Sequence, residues 1–141
     1  MTYGEKTKYL YRYLDARREM KVLADELEQV QSDACRVTPL LSGMPGGQSD
    51  GQALPRSVEQ IIKARQELEA QINVCGATRR EVVAAINQIT DSRDHEIFRR
   101  RYLLGQGWEK ISEDMHYSCK QIRRRHDRAL QKMSINVPKC P

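Results

Sequence analysis

The chain has 141 residues, and its 24 Lys and Arg against 19 Asp and Glu give a formal net charge of +5 at neutral pH. Aromatic residues make up 6% and charged residues 30% of the chain, which argues against a large compact core and favours exposed helices with narrow apolar seams. The chain contains no apolar run of about 18 residues, the length of a membrane span, and MTYGEKTKYL lacks the apolar stretch of a signal peptide.

A heptad pattern occupies the N-terminal part of the chain. Its members step by alternating fours and threes, which keeps one narrow stripe on one face of a helix. No Gly or Pro lies between Thr7 and Pro39. The pattern predicts one long helix with a stripe formed by Tyr9, Tyr13, Ala16, Met20, Leu23, Leu27, Val30 and Ala34.

A linker is predicted at about residues 36–56, where three prolines and four glycines occur in VTPLLSGMPGGQSDGQALP. A second heptad run follows it. Gly76 lies inside this run and costs about 1 kcal/mol relative to Ala, and Arg65 and Arg79 interrupt the apolar stripe. Its expected members are Val58, Ile61, Arg65, Leu68, Ile72, Cys75, Arg79, Val82, Ile86 and Ile89.

Neither long helix can bury its stripe alone. The expected fold is therefore all-α, with residues 1–90 forming an antiparallel, coiled-coil-like helical hairpin whose turn is the linker. The core of a single hairpin is thin, so we expect a homodimer or higher oligomer through the long helices. An intramolecular spacer is the alternative, and the pattern leaves open whether the helices pair within or between chains.

Residues 91–135 show a different pattern, that of short helices, and residues 136–141 form a tail. Asp91 is expected to cap the first helix, which Gly105 and Gly107 end. A helix of about two turns follows, and then the tight connection His116-Tyr117. Ser118 begins the last helix, with a capping box to Gln121 and an apolar stripe. That stripe contains Ile122, Ala129, Leu130 and Met133.

The last helix carries the excess positive charge of the chain. Residues 117–133 contain six Lys and Arg against one Asp, so the whole excess positive charge lies there. A short helix, a tight turn and a basic amphipathic helix are typical of a helix-turn-helix. Lys120, Gln121, Arg124 and Arg128 share its polar face, and such side chains match base edges and phosphates. A solvated face, a membrane surface or an acidic protein partner are the alternatives for such a helix.

The C-terminal segment resembles the region-4 domain of bacterial sigma-70-type factors over the run HEIFRRRYLLGQGWEKISEDMHYSCKQIRRRHDRALQKM. RYLLGQGWEKIS is similar to its opening pattern, and YSCKQIRRRHDRALQKM to its recognition helix. The complete arrangement resembles small phage or prophage proteins of Gram-positive bacteria, grouped with the RinA- and ArpU-like regulators of late genes. The chain departs from region 4 at Arg100, where an apolar residue is frequent, and at Ser112, where Ala is usual.

This resemblance implies roles for individual residues. Bases would be contacted by Cys119, Lys120, Gln121 and Arg124. The DNA backbone would be contacted by Ser118, Arg123, Arg125 and Arg128. The core of the helix-turn-helix would contain Trp108, Ile111, Met115, Ile122 and Leu130.

The expected function is sequence-specific binding of double-stranded DNA by a transcription regulator in the bacterial cytoplasm. One alternative is an accessory module that binds RNA polymerase, and another is a small DNA-packaging subunit of the terminase type. Nothing in the sequence resembles sigma region 2, so an autonomous sigma factor is not expected.

Other kinds of site are not predicted. The four cysteines Cys35, Cys75, Cys119 and Cys140 form no CxxC pair, and we expect reduced thiols. Cys119 at a helix start is a minor candidate for a redox switch. His95, His116 and His126 have no metal-ligand spacing and are expected on the surface, where His126 would be able to touch phosphate. No catalytic residue, metal site or cofactor is expected.

Overall fold

The computed structural model describes residues 1–42 and 53–135, without the side chains of residues 37–42 and 53–54. This part of the chain contains helices and no strand, so the predicted all-α class is confirmed for it. None of its helices is both long and apolar enough to cross a membrane. The five helices are α1 (Tyr3–Ser42), α2 (Ala53–Ile86), α3 (Ser92–Tyr102), α4 (Trp108–Met115) and α5 (Cys119–Lys132).

The connection between α1 and α2 is shorter than the predicted linker. Helix α1 continues to Ser42 and α2 begins at Ala53, so the prediction that residues 36–56 are non-helical is wrong at both ends. Pro55 falls in the first turn of α2, where its missing N–H has no intrahelical partner to lose. The middle of the predicted linker, residues 43–52, and the tail from residue 136 lie outside the described residues.

The predicted stripe of α1 is confirmed, because all eight of its members are half-buried. The stripe of α2 is only partly as predicted. Its covered positions alternate threes and fours, and they are Ile61, Ala64, Leu68, Gln71, Cys75, Thr78, Val82 and Ala85. Four predicted members are exposed instead, namely Val58, Arg65, Ile72 and Arg79. The helix is rotated about its axis relative to the prediction, so that small or polar residues occupy the seam in their place. The two arginines are therefore directly exposed to water.

The described residues divide into two compact units. One unit contains Met1–Ala16 together with the chain from Gly76 onward, and the other contains Arg17–Cys75. This division differs from the predicted boundary at residue 90. The reason is a shared core, since Leu10 of α1 and Val82 of α2 are fully buried in the same apolar cluster as Phe98 of α3.

Two apolar clusters build the first unit. The first cluster consists of Leu10, Val82, Ala85, Ile86, Phe98, Tyr102, Leu103, Leu130 and Met133. The second cluster consists of Ile97, Ile111 and Ile122, with Trp108, Met115 and Tyr117 packed against it. The first cluster joins both ends of the chain, and the second fixes α4 against α3 and α5.

The first turns of α1 contact the second half of α5. The Tyr3 hydroxyl donates to Asp127 Oδ1 at 3.0 Å. Lys6 Nζ donates to the carbonyl oxygens of Leu130 at 2.9 Å and Gln131 at 3.3 Å. These carbonyls lie at the C-terminal end of α5, where a cation also meets the negative end of the helix dipole. The N-terminus of the chain therefore helps to hold α5.

Candidate functional site

Helices α4 and α5 are joined by a tight turn of three residues. His116 ends α4 in the left-handed region, with φ 60° and ψ 36°, and its N–H donates to the Ser112 carbonyl. The Ser112 hydroxyl donates to the carbonyl oxygen of Tyr117. This bond gives Ser112 a structural role. It ties the last turn of α4 to the residue that leads into α5.

The apolar contact between α4 and α5 is centred on Ile111 and Ile122, both fully buried. Trp108 and Met115 pack against them, so four of the five predicted core residues come together. Leu130 does not, because it is two turns further along α5 and lies in the first cluster. Helix α5 is thus held by α4 at its start and by the first cluster at its end.

The N-terminus of α5 has the predicted capping box. The Ser118 hydroxyl oxygen accepts from the backbone N–H of Gln121 at 3.2 Å. In return, Gln121 Oε1 accepts from the backbone N–H of Ser118 at 3.0 Å and from its hydroxyl at 3.2 Å. A glutamine that reads adenine bidentately needs both its oxygen and its nitrogen. The cap engages the oxygen, which leaves the Gln121 Nε2 amide for an external acceptor.

Three exposed cations follow one another along α5 at spacings of four residues, Lys120, Arg124 and Arg128. That spacing keeps them on one face, opposite the buried Ile122 and Leu130. None of the three makes a side-chain hydrogen bond or ion pair within the described part of the chain. We call this row of residues the basic face of α5.

Another arginine of α5, Arg125, is engaged within the protein. Arg125 Nη1 lies 3.0 Å from Asp94 Oδ1 and 3.8 Å from Asp91 Oδ1. Its guanidinium also stands 5.5 Å from the centre of the Tyr117 ring. The hydrogen bond to Asp94 raises the pKa of Arg125 above its usual range. Arg125 therefore fastens α5 to the start of α3, where Asp91 is the N-cap as predicted.

Arg123 and Cys119 lie outside the basic face. Arg123 is exposed, and its guanidinium is 6.0 Å from the centre of the Trp108 ring. The Cys119 thiol is half-buried and donates to the Trp108 carbonyl oxygen at 3.9 Å. It therefore points toward α4 rather than outward with Lys120. Cys35, Cys75 and Cys119 are all free thiols, and Cys140 lies outside the described residues.

His126 is not the surface residue that the sequence suggested, because its side chain is only 1% exposed. It stacks on Phe98 with ring centres 4.8 Å apart, and the Trp108 ring meets its edge at 4.9 Å. Its position explains this burial: it is four residues from both Ile122 and Leu130, so it continues their stripe. The spacing of four residues therefore indicated burial, but histidine is not an apolar residue and was not included in the predicted stripe. His126 cannot reach phosphate from this position.

A chain of polar contacts runs through the buried His126. Its Nδ1 lies 3.0 Å from Asp127 Oδ1, and its Nε2 lies 2.6 Å from the Tyr102 hydroxyl. A carboxylate only accepts, so Nδ1 carries the proton and Nε2 accepts from Tyr102. Burial lowers the pKa of His126, against the opposing effect of Asp127. The neutral ring thereby joins α3 and α5.

Two arginines of α3 also support the site, a role that was not predicted for either of them. Arg101 is stacked 4.4 Å from the Trp108 ring centre and 5.4 Å from that of Tyr11. Arg100 reaches α4, where its Nη1 lies 3.1 Å from Asp114 Oδ2. This ion pair fastens α3 to α4.

Comparison with known proteins gives no assignment, because no family model, curated protein or solved structure matches the chain. A search for metal-binding groups of His, Cys, Asp or Glu likewise finds none within the described residues. The candidate site therefore rests on its own geometry: a basic helix, capped at its start and fixed on one side by two other helices.

Proposed function

We propose that the chain binds double-stranded DNA sequence-specifically, with α3 to α5 acting as a helix-turn-helix and α5 entering the major groove. The observation that carries this proposal is the basic face of α5. Lys120, Arg124 and Arg128 project into solvent without side-chain partners among the described residues, whereas the opposite side of the same helix is buried. A major groove about 12 Å wide admits one such helix and offers acceptors to lysine and arginine.

The contacts of each residue support a division of roles on α5. Lys120 and Arg124 lie in its first turns, the part of a recognition helix that contacts base edges. The Gln121 amide nitrogen contributes one donor there. Arg128, further along, and Arg123, at the margin, are suited to phosphate contacts. These roles keep most of the sequence prediction.

Three residues receive revised roles. Arg125 binds Asp94 and Cys119 faces the Trp108 carbonyl, so we assign both to the support of α5 rather than to DNA. Ser118 serves as the N-cap, and its hydroxyl is engaged with Gln121. A capped N-terminus also presents the positive end of the helix dipole, which favours a nearby phosphate.

Regulation of transcription is the simplest function for a helix that reads DNA sequence. It rests on the resemblance to sigma region 4 and to phage late-gene regulators. In the same proposal, α1 and α2 form an antiparallel hairpin that pairs two copies of the chain. Two-fold pairing of readers matches operators with two half-sites.

The experiment that tests this function is selection of bound duplexes from a random pool, followed by affinity measurements at several salt concentrations. We expect an enriched motif and an observed association constant that falls with salt, with a log–log slope of about −2 to −4 per protomer from the exposed cations. Binding that is absent, or independent of salt, would contradict the proposal. Capture of RNA polymerase without DNA would then favour the polymerase-binding alternative, and a ring of about eight or more subunits would favour packaging.

A further inference from the structure

Helix α2 carries a second apolar stripe that its covered seam leaves exposed. Val58, Ile62 and Ile72 are 47%, 49% and 47% exposed, although isoleucine and valine are among the most frequently buried residues. Arg65 and Glu69 lie between them and are exposed as well. Neither charge makes an ion pair within the described residues. These five residues are called the outer stripe.

The outer stripe is a coherent surface rather than scattered exposure. At about 100° per residue, its five members fall within an arc of about 80° on the helix. The covered seam through Ile61, Leu68 and Cys75 is centred about 80° away. The two stripes therefore occupy neighbouring faces of α2, and covering the seam does not cover the outer stripe.

Four of the five residues in the outer stripe, those from Ile62 to Ile72, follow a self-complementary order. From Ile62 the stripe continues to Arg65, Glu69 and Ile72, with steps of three, four and three residues. The same spacing results when the stripe is read from the other end. Apolar residues occupy the outer positions, and charges of opposite sign occupy the inner ones.

We propose that the outer stripe is the surface through which two copies of this chain associate, with the two α2 helices antiparallel about a two-fold axis between Arg65 and Glu69. Ile62 then lies opposite Ile72 of the partner subunit, and Arg65 lies opposite Glu69 of the partner subunit. Two-fold symmetry repeats each contact. The proposal deepens the self-association proposed above by naming its surface and orientation.

Charge complementarity identifies a second copy of the chain as the occupant. In the antiparallel arrangement each inner charge meets its opposite, which sets both register and direction. A parallel arrangement in register would place Arg65 beside its own copy and Glu69 beside its own, and like charges in contact are unfavourable. One orientation is therefore favoured over the other by the same two residues.

The test is a charge-reversal cycle on the full chain, measured by sedimentation equilibrium over a range of protein concentrations. Arg65→Glu and Glu69→Arg are each expected to raise the dissociation constant at least about tenfold, because each places like charges together. The double variant Arg65→Glu/Glu69→Arg restores opposite charges in both pairs. Its dissociation constant is expected to return to within about threefold of the original value.

A substitution at an apolar residue of the outer stripe, with a matched control, completes the test. Ile62→Ser is expected to weaken association at least about tenfold, whereas Val74→Ser, at a similarly exposed valine on the opposite side of α2, is expected to leave it unchanged. Circular dichroism checks that helix content is preserved in every variant. A chain that is monomeric throughout, or a dimer that tolerates both single reversals, would overturn the proposal.

The DNA-binding proposal is tested separately on the same proteins. A monomeric Arg65→Glu variant keeps the basic face of α5 and is expected to bind a single half-site with unchanged salt dependence. Loss of association with DNA binding retained therefore supports the surface. A dimer that obeys the cycle but does not bind DNA would support the surface and remove the proposed function.

Discussion

The Tyr102 hydroxyl lies 2.6 Å from Nε2 of His126, and each side chain is only 1% exposed. The hydrogen bond joins α3 to α5 within a group of stacked rings. Because the ring nitrogens already face Tyr102 and Asp127, the neutral imidazole has a partner at each nitrogen. A second proton would replace the acceptor at Nε2 with a donor. Protonation of Nε2 would therefore require the Tyr102 hydroxyl to accept instead of donate, in a buried site that disfavours the charged ring.

The first prediction is a loss of stability in mildly acidic solution. The pKa of His126 is lowered by burial, so the unfolded chain takes up a proton first, near pH 6.5. The free energy of unfolding is expected to be full above that pH and to fall as the pH decreases toward the lowered pKa, by up to about 1.4 kcal/mol per pH unit. Urea denaturation from about pH 7.5 to 5.5 measures this change, in a range above that in which most carboxylates titrate.

His126→Gln is the control for the pH prediction, since glutamine keeps polar atoms but does not titrate. This variant is expected to be less stable at neutral pH and nearly independent of pH in the same range. A wild-type chain with a flat profile, or a variant with the original slope, would show that His126 does not govern the acid response.

The sequence predicted the helices better than their faces. The caps at Asp91 and Ser118 and the apolar pair Ile111 and Ile122 were recognisable because they are local signals. His126 was misassigned because a ring with two polar atoms becomes buried only when partners such as Tyr102, distant in the sequence, satisfy them. The seam of α2 was misassigned because its heptad spacing is satisfied by either of two adjacent stripes.

The packing of the first turns of α1 against the other helices was also not predictable from local sequence signals. Leu10 belongs to a long regular helix but not to its predicted stripe, which passes through the neighbouring Tyr9 and includes Leu23. Its burial depends on contacts with residues of α2, α3 and α5 that follow it by more than 70 positions. Long-range packing of this kind decides which part of a long helix joins a domain.

The second prediction concerns this long-range packing. Leu10→Ala is expected to lower the free energy of unfolding of the first unit by about 2–5 kcal/mol, because it leaves a cavity in the first cluster. Val22→Ala, at an exposed position of the same helix, is expected to change it by less than about 0.5 kcal/mol. Thermal and urea denaturation measure both. Equal effects would mean that α1 contributes no core to this unit.

The third prediction separates two adjacent arginines. Arg125→Ala removes the ion pair with Asp94 and is expected to cost about 0.5–1 kcal/mol of stability, since both groups remain partly in water. Asp94→Ala added to Arg125→Ala is expected to cost less than the two single effects combined. Arg124→Ala is expected to leave stability within about 0.5 kcal/mol. If Arg124→Ala were the more destabilising change, the two assignments would be reversed.

The fourth prediction concerns the turn at His116, whose φ is 60°. A β-branched residue is strained there, so His116→Val is expected to lower the free energy of unfolding by about 1–2 kcal/mol. His116→Gly is expected to maintain it or to raise it by up to about 1 kcal/mol. His95→Gly is the control, because it lies inside α3 and is expected to lose about 1 kcal/mol. Destabilisation by glycine at both positions would contradict this interpretation of the turn.

The measurement that most directly tests the central claim is the ratio of affinities for a selected duplex and a scrambled duplex, for the wild type and for Arg124→Ala. Arg124→Ala is expected to lower this ratio by about 5- to 100-fold, corresponding to about 1–3 kcal/mol of base discrimination. Arg79→Ala removes the same charge from α2 and is expected to preserve the ratio. Equal affinity of the wild type for both duplexes, or equal losses on both in Arg124→Ala, would contradict the assignment of α5 as the element that reads DNA sequence.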